Sequence, residues 1–175
     1  YTYSWAGNPE EDYIPGMTVV NDVPAGNYTV TAIDDNGCQA QGFDIEIIEP
    51  EELIVTATAD DQYNGYSIPC YGSDNGSINV EVEGGTPVYT YEWKNFENGE
   101  VVSTEDNPSG LSSGQYYVTV TDDNECAEDS DVIEITEPEE LDITEIHSNY
   151  NGYGVSFYGA NDGWIDVVVT GGVDD

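Results

Sequence analysis

Basic residues are almost absent from this sequence. Its 175 residues include one Lys or Arg, Lys94, against 37 Asp and Glu, for a formal net charge of −36. Nucleic-acid binding needs Lys and Arg to displace counterions from phosphate, so that class of function is excluded. Attraction to an anionic membrane surface is excluded for the same reason. No apolar run approaches the roughly 20 residues of a membrane-spanning helix, so direct membrane insertion is not expected.

A charge this large opposes a compact state, and the mean hydropathy of −0.47 points the same way. The aromatic content argues for a folded protein. The chain has three Trp and 14 Tyr, residues that favour strands and are rare in disordered chains.

An internal repeat organises the chain. At an offset of 88 residues, Trp5 falls on Trp93 and Cys38 falls on Cys126. The stretch Tyr63–Tyr66 returns 87 residues later. One period of 88 and one of 87 together equal the 175 residues of the chain. We therefore expect two periods of a longer tandem array, cut within a repeat.

Glu-Pro-Glu-Glu connectors separate the repeats. Proline lacks a backbone N–H and can end a strand, and the connectors lack the Gly and Ser of a flexible linker. Three segments are predicted: residues 1–50 are the C-terminal part of a first repeat, residues 51–138 a complete repeat, and residues 139–175 the N-terminal part of a third repeat.

Short strand patterns fill the complete repeat, and almost nothing reads as helix. Ile78, Val80 and Val82, for example, alternate with polar residues. The predicted strands are Leu53–Ala59, Ser77–Glu83, Val88–Lys94, Glu100–Thr104, Gln115–Thr121 and Asp131–Thr136. Half-polar strands are typical of antiparallel sheets with one buried face. We expect an all-β fold of tandem immunoglobulin-like antiparallel β-sandwich repeats that form an extended rod.

Three cysteines occupy two positions of the repeat. A Cys70–Cys126 disulfide would close a 56-residue loop and stabilise the fold by roughly 4 kcal/mol on a chain-entropy basis. Such a bond implies an oxidising, extracellular setting, and two buried free thiols are the alternative. The position equivalent to Cys70 in the last repeat is Phe157. If the preceding unit resembles that repeat, Cys38 is a free thiol.

Residue types give little support for catalysis. The single histidine, His147, has no counterpart at the aligned position of the other repeat, and no Ser-His or Cys-His arrangement is evident. Carboxylate pairs occur throughout the chain, so residue type alone does not decide for or against a glycosidase pair. We predict no catalytic residue and no enzyme.

Calcium is the stronger chemical candidate, because Ca²⁺ takes six to eight oxygen ligands. Carboxylate and amide oxygens concentrate in two turns and two connectors. The candidate ligands are Asp34, Asp35, Asn36, Asp122, Asp123, Asn124, Glu51, Glu52, Glu139 and Glu140. Asp-Asn-Gly is equally a preferred hairpin turn, and no segment has the EF-hand spacing. An ion at the connector would bridge adjacent repeats and stiffen the rod.

Tyrosines cluster near Asn-Gly turns and are candidates for stacking on sugar rings. They are Tyr63, Tyr66, Tyr71, Tyr150, Tyr153 and Tyr158. Their alignment across repeats equally fits packing of the rings around a turn.

Several motifs of the complete repeat occur in a fixed order. They are Cys70-x-Gly72-x-Asp74-x-Gly76-Ser77-Ile78, Gly84-Gly85-Thr86-Pro87-x-Tyr89-x-Tyr91-x-Trp93, Leu111-x-x-Gly114-x-Tyr116-x-Val118-x-Val120-x-Asp122, Cys126 and Glu137-Pro138. This combination resembles the SprB-type repeat of very long cell-surface adhesins in gliding and related Bacteroidota bacteria. Two residues depart from that pattern: Phe157 replaces the first cysteine in the last repeat, and Glu125 replaces the glycine before the second cysteine.

The resemblance implies a filamentous surface protein that is exported by the type IX secretion route and used in attachment and gliding motility. We therefore predict an extracellular stalk segment of a cell-surface adhesin, whose partners are adjacent repeats of the same chain. Two alternatives stay open. One is a binding module for surface polysaccharide, assisted by Ca²⁺, and the other is a subunit of an extracellular filament that self-assembles from copies of the chain.

Overall fold

A computed structural model describes residues 1–7 and 19–173 of the chain. These residues form thirteen β-strands and no helix, and every sheet pairing is antiparallel. The predicted all-β, antiparallel fold class is confirmed. The chain divides into two compact units, Tyr1–Glu51 and Glu52–Asp175.

The first unit contains one three-stranded sheet. Its strands are β1 (Thr2–Ala6), β2 (Gly26–Ile33) and β3 (Gln39–Ile47), in the order β1-β2-β3. The β2–β3 connection is a tight turn in which Gly37 has a φ of 83°, a left-handed conformation that glycine adopts without steric cost.

The second unit begins with eight strands that form two sheets. They are β4 (Ile54–Ala59), β5 (Gly76–Glu83), β6 (Thr90–Asn95), β7 (Val101–Ser103), β8 (Ser109–Leu111), β9 (Gly114–Thr121), β10 (Ala127–Asp129) and β11 (Ile133–Ile135). One sheet has the order β4-β5-β8 and the other has the order β10-β9-β6-β7, with β11 also paired to β9. This division of strands is that of an immunoglobulin-type sandwich.

Both sheets contribute to one hydrophobic core. Its buried members are Ile68, Ile78, Trp93, Leu111, Tyr116, Val118, Val120, Ile133 and Ile135. Ile78 comes from the first sheet, whereas Trp93 and Val118 come from the second, so the core lies between the two sheets. The indole N–H of Trp93 donates a hydrogen bond of 2.9 Å to the Glu105 carbonyl, which satisfies its polar atom inside the core.

The second unit ends in a two-stranded sheet of β12 (Glu139–His147) and β13 (Ile165–Gly172). Every residue of β12 is exposed, as is most of β13.

All six predicted strands are present, with ends that differ from the prediction by up to two residues. Two strands were missed, β8 and β10, each only three residues long. β8 contains Gly110, a residue type that favours turns, and in the structure this glycine has a φ of 76°. β10 is too short to show alternation of apolar and polar residues. Their strand geometry depends on pairing with β5 and β9, which local sequence does not encode.

The sequence offsets are reproduced in the strand pairing. Trp5 pairs with Val30 in the first unit, and Trp93 pairs with Val118 in the second, each 88 residues later. The pairing of β2 with β3 likewise recurs in β9 with β10 and β11. The β4–β5 pair recurs in β12–β13, where the offset is 88 in the first strand and 87 in the second.

Candidate functional site

The turn between β9 and β10 is held by a buried carboxylate. Asp122 is only 6% exposed, and its two oxygens accept three backbone hydrogen bonds. The N–H groups of Asn124 and Cys126 donate to Oδ1, each at 2.9 Å, and the N–H of Thr86 donates to Oδ2 at 2.8 Å. These bonds, with the Thr86 bond the largest cause, lower the pKa of Asp122. The carboxylate therefore stabilises this turn and ties it to the segment before β6.

In the equivalent turn of the first unit, Asp34 makes the same two hydrogen bonds within the turn. Asp34 Oδ1 accepts hydrogen bonds from the backbone N–H groups of Asn36 at 2.9 Å and Cys38 at 2.8 Å. Sequence reasoning treated Asp34 and Asp122 as candidate metal ligands. In the structure both carboxylates serve as acceptors for their own turns, a role typical of Asp in such positions.

The remaining candidate calcium ligands lie on the surface. The exposed ones are Asp35, Asn36, Glu51, Glu52, Asp123, Asn124, Glu139 and Glu140. Within residues 1–7 and 19–173, no three or more His, Cys, Asp or Glu side chains gather in a group that could hold a metal ion. The calcium site stays a prediction.

The three cysteines lie on loops and are exposed. Cys70 is in the connection from β4 to β5, Cys126 directly precedes β10, and Cys38 directly precedes β3. All three are free thiols in the structure. The Cys70–Cys126 disulfide is therefore not confirmed and stays a prediction.

The C-terminal end of the sandwich is bound back to its body. The backbone N–H of Ser67 donates to the Thr136 carbonyl at 3.1 Å, and the N–H of Thr136 donates to Ser67 Oγ at 3.0 Å. The next residue, Glu137, accepts hydrogen bonds from the Gly72 N–H at 2.6 Å and from Ser113 Oγ at 2.7 Å. The Glu-Pro connector thus begins with a carboxylate that joins two loops of the sandwich.

A tyrosine hydroxyl closes the corner before β9. Tyr116 donates to the Ser112 carbonyl at 3.0 Å, and burial raises the pKa of its hydroxyl. Tyr28 makes the same contact in the first unit, with a hydrogen bond of 2.7 Å to the Pro24 carbonyl. This geometry is the tyrosine corner of immunoglobulin-like sandwiches. Sequence reasoning missed its role, although the recurring Gly-x-Tyr at the start of β2 and β9 was an available signal.

The tyrosines near the Asn-Gly turns have two kinds of environment. Tyr63 and Tyr66 form a backbone bridge across a turn in which Asn64 and Gly65 both have positive φ. Their alignment with Tyr150 and Tyr153, which form the same bridge, is therefore explained by hairpin geometry. The rings of Tyr71, Tyr153 and Tyr158 are exposed nonetheless.

Comparison with known proteins agrees with the repeat motifs. The family model of the SprB repeat matches residues 67–98, a segment that includes β5 and β6 of the sandwich. No match was found among curated proteins. The described residues contain no helix long and apolar enough to cross a membrane. SprB repeats are found in adhesin-type cell-surface proteins. The match confirms the resemblance seen in the sequence, because residues 67–98 are similar to an SprB-type repeat.

Proposed function

We propose that the chain is a structural stalk segment of a long filamentous cell-surface adhesin, which serves attachment or gliding motility by providing length and mechanical continuity. The observation that carries this proposal is the SprB match inside a β-sandwich. Export by the type IX secretion route and an extracellular location follow as parts of the same proposal.

The bonded C-terminal end of the sandwich supports a load-bearing role. Tension that enters at Pro138 acts first on Thr136 and Glu137, which are hydrogen-bonded to Ser67, Gly72 and Ser113. Several hydrogen bonds must therefore break together before β11 can be pulled from β9. Such an end transmits force into the body of the sandwich instead of peeling away residue by residue.

The negative charge supports an extended, soluble chain. The single basic residue, Lys94, leaves the net charge at −36. Like charges distributed along the chain favour extension, and they oppose adventitious pairing of exposed sheet edges.

Single-molecule force spectroscopy on the chain held by its two ends tests the mechanical role. We expect Glu137→Gln to lower the unfolding force, because one carboxylate holds both Gly72 and Ser113. Glu134→Gln is the matched control, since Glu134 is an exposed residue of β11 with the same charge. Equal unfolding forces for the two variants would contradict the load-bearing role.

Immunogold electron microscopy of cells that express the protein tests its location. Antibodies raised against the 175-residue chain should label fibres that project from intact cells. Labelling that appears only after the cells are permeabilised would overturn the proposal.

Binding of surface polysaccharide is the second candidate, and the exposed loop aromatics favour it. Tyr71, Tyr153, Phe157 and Tyr158 all expose more than half of their surface. A glycan array probed with the chain, with and without Ca²⁺, separates the two functions because a stalk should bind no glycan. Specific binding that is lost in Tyr153→Ala would favour the polysaccharide module.

A further inference from the structure

The chain enters and leaves the sandwich of the complete repeat at opposite ends. Leu53, which leads into β4, lies close to the end of β9: a Cβ built on Gly85 would be 3.0 Å from Leu53 Cδ1 and 3.1 Å from Asp122 Oδ2. Asp122 directly follows β9. Glu137, which follows β11, instead binds Ser113, the residue directly before β9. The eight residues of β9 therefore separate the entry end from the exit end, by roughly 24 Å at the rise of an antiparallel strand.

The first and last strands of this sandwich, β4 and β11, run in the same direction. Their antiparallel partners are β5 and β9: Ile54 pairs with Glu83 at the entry end, and Ile135 pairs with Gly114 at the exit end. Both strands therefore run from the entry end to the exit end. They also contact each other, and Ile135 Cγ2 lies 2.7 Å from a Cβ built on Gly76. The last strand is thus packed against the first residue of β5, which belongs to the other sheet.

Tension between the entry and exit ends pulls β4 and β11 past each other along their own axes. The hydrogen bonds of an antiparallel pair are perpendicular to the strands, so a pull along a strand loads all of them together. All six residues of β4 pair with β5, and all three residues of β11 pair with β9. A pull across the strands would instead break these bonds one after another, starting at the strand end.

Core side chains add to the resistance against sliding. Val55, Ala57 and Ala59 of β4 pack against the hydrophobic core. Ile133 and Ile135 of β11 are members of that core and are 8% and 1% exposed. Sliding of either strand moves this apolar surface into water, which is unfavourable. Hydrogen bonds and core packing therefore oppose the same movement.

We propose that β4 and β11 form a directional mechanical clamp. The complete repeat resists tension applied between its entry and exit ends, and it yields at lower force to tension applied across one end. The inference goes beyond the stalk function because it concerns the direction in which the fold is strong. Only the use of the clamp in the cell rests on the proposed stalk function, since the strand directions are a property of the sandwich itself.

Single-molecule force spectroscopy with two pairs of attachment points tests this direction. The three native cysteines, which are exposed, are first replaced by serine in the 175-residue chain. Glu52→Cys with Glu139→Cys then loads the sandwich from end to end. Glu52→Cys with Glu83→Cys is the matched control, which pulls β4 and β5 apart at the end where Ile54 pairs with Glu83. All three glutamates are exposed, so near-UV circular dichroism should show the wild-type fold in both variants.

We expect the end-to-end pair to unfold at a force at least about twice that of the control pair, because its hydrogen bonds break together and those of the control break in sequence. Equal forces in the two geometries would overturn the clamp, as would a higher force in the control. Spin labels on the same cysteines provide a readout that does not depend on force. The end-to-end labels should lie at least about 10 Å farther apart than the control labels, because the length of a strand separates the first pair and adjacent strands lie only about 5 Å apart.

Equal label distances would also overturn the clamp, because entry and exit would then lie at the same end of the sandwich. Failure of the clamp and failure of the stalk function are distinguishable. A directional difference in unfolding force, in a protein that immunogold labelling does not find on intact cells, would refute the stalk function and support the clamp. Surface fibres whose sandwich unfolds at equal force in both geometries would refute the clamp alone.

Discussion

The Asp122 carboxylate accepts a hydrogen bond of 2.8 Å from the backbone N–H of Thr86, 36 residues earlier in the chain. This contact explains the Gly-Gly-Thr motif that precedes β6. Gly85 has a φ of 61°, and a Cβ built on it would lie 3.1 Å from Asp122 Oδ2 and 3.0 Å from Leu53 Cδ1. The glycine therefore leaves room for the carboxylate, and two separate motifs of the repeat form one structural unit.

Replacing Asp122 should destabilise the sandwich. The two carboxylate oxygens of Asp122 accept hydrogen bonds from three backbone N–H groups. Asp122→Asn removes the negative charge and replaces one of these oxygens with an NH₂ group, which cannot accept a hydrogen bond. We expect a melting temperature several degrees below that of Asp123→Asn, the control, in which the same charge is removed from an exposed neighbour. Melting followed by near-UV circular dichroism measures the difference, and equal melting temperatures would contradict the assignment.

The same pair of variants should show a defined pH dependence. The folded-state pKa of Asp122 is lower than its ordinary value of 3.8, so the ionised form stabilises the fold. This stabilisation is fully present above pH 3.8 and is lost as the pH falls through the lower folded-state pKa. The stability gap between wild type and Asp122→Asn should therefore narrow only below pH 3.8. A gap that disappears between pH 5 and 6 would point to another group.

Gly85→Ala should cost more stability than Gly99→Ala. Both glycines have positive φ, at 61° and 71°, so each substitution carries a backbone penalty of about 1–2 kcal/mol. A Cβ at Gly99 meets nothing within 4 Å, whereas one at Gly85 meets Leu53 and Asp122. The difference between the urea denaturation midpoints of the two variants measures the cost of the steric contact at Gly85. Equal midpoints would show that Leu53 and Asp122 move to accommodate the added Cβ.

Tyr116→Phe should lower the free energy of unfolding by about 1 kcal/mol, because the Ser112 carbonyl loses its hydrogen-bond donor. The control is Tyr117→Phe, in the next residue, whose ring contacts Phe96 and Lys94. We expect that variant to lie within about 0.5 kcal/mol of wild type. Chemical denaturation provides both values, and a larger loss in Tyr117→Phe would be inconsistent with the corner assignment.

The predicted disulfide can be tested by thiol counting. If Cys70 and Cys126 are bonded after purification under oxidising conditions, denatured protein should show one reactive thiol, that of Cys38. Reduction should then lower the free energy of unfolding by up to roughly 4 kcal/mol. Three reactive thiols with no effect of reduction would leave all three cysteines free, as they are in the structure.

Much of the candidate site could be located from the sequence, although its chemistry could not. The Asp-x-Asn-x-Cys turns were correctly singled out as places rich in carboxylate and amide oxygens. Which groups those oxygens bind depends on a residue far away in the chain, since the pairing of β6 with β9 brings Thr86 next to Asp122. The tyrosine corner was missed for a related reason: the recurring Gly-x-Tyr marks the position, whereas the acceptor of the hydroxyl, the Ser112 carbonyl, is seen only in the folded loop.

The sequence by itself determined six of the eight strands of the complete repeat, their antiparallel class and the register in which the repeat recurs. These properties follow from local alternation of apolar and polar residues and from the offsets of 88 and 87. Tertiary structure alone decided burial. Ile78 and Ile165 lie in equivalent strands at the same pairing position, yet they are 0% and 77% exposed. Their local patterns are alike, and Ile78 is buried because the opposing sheet of the complete repeat, which contains Trp93 and Val118, packs on it.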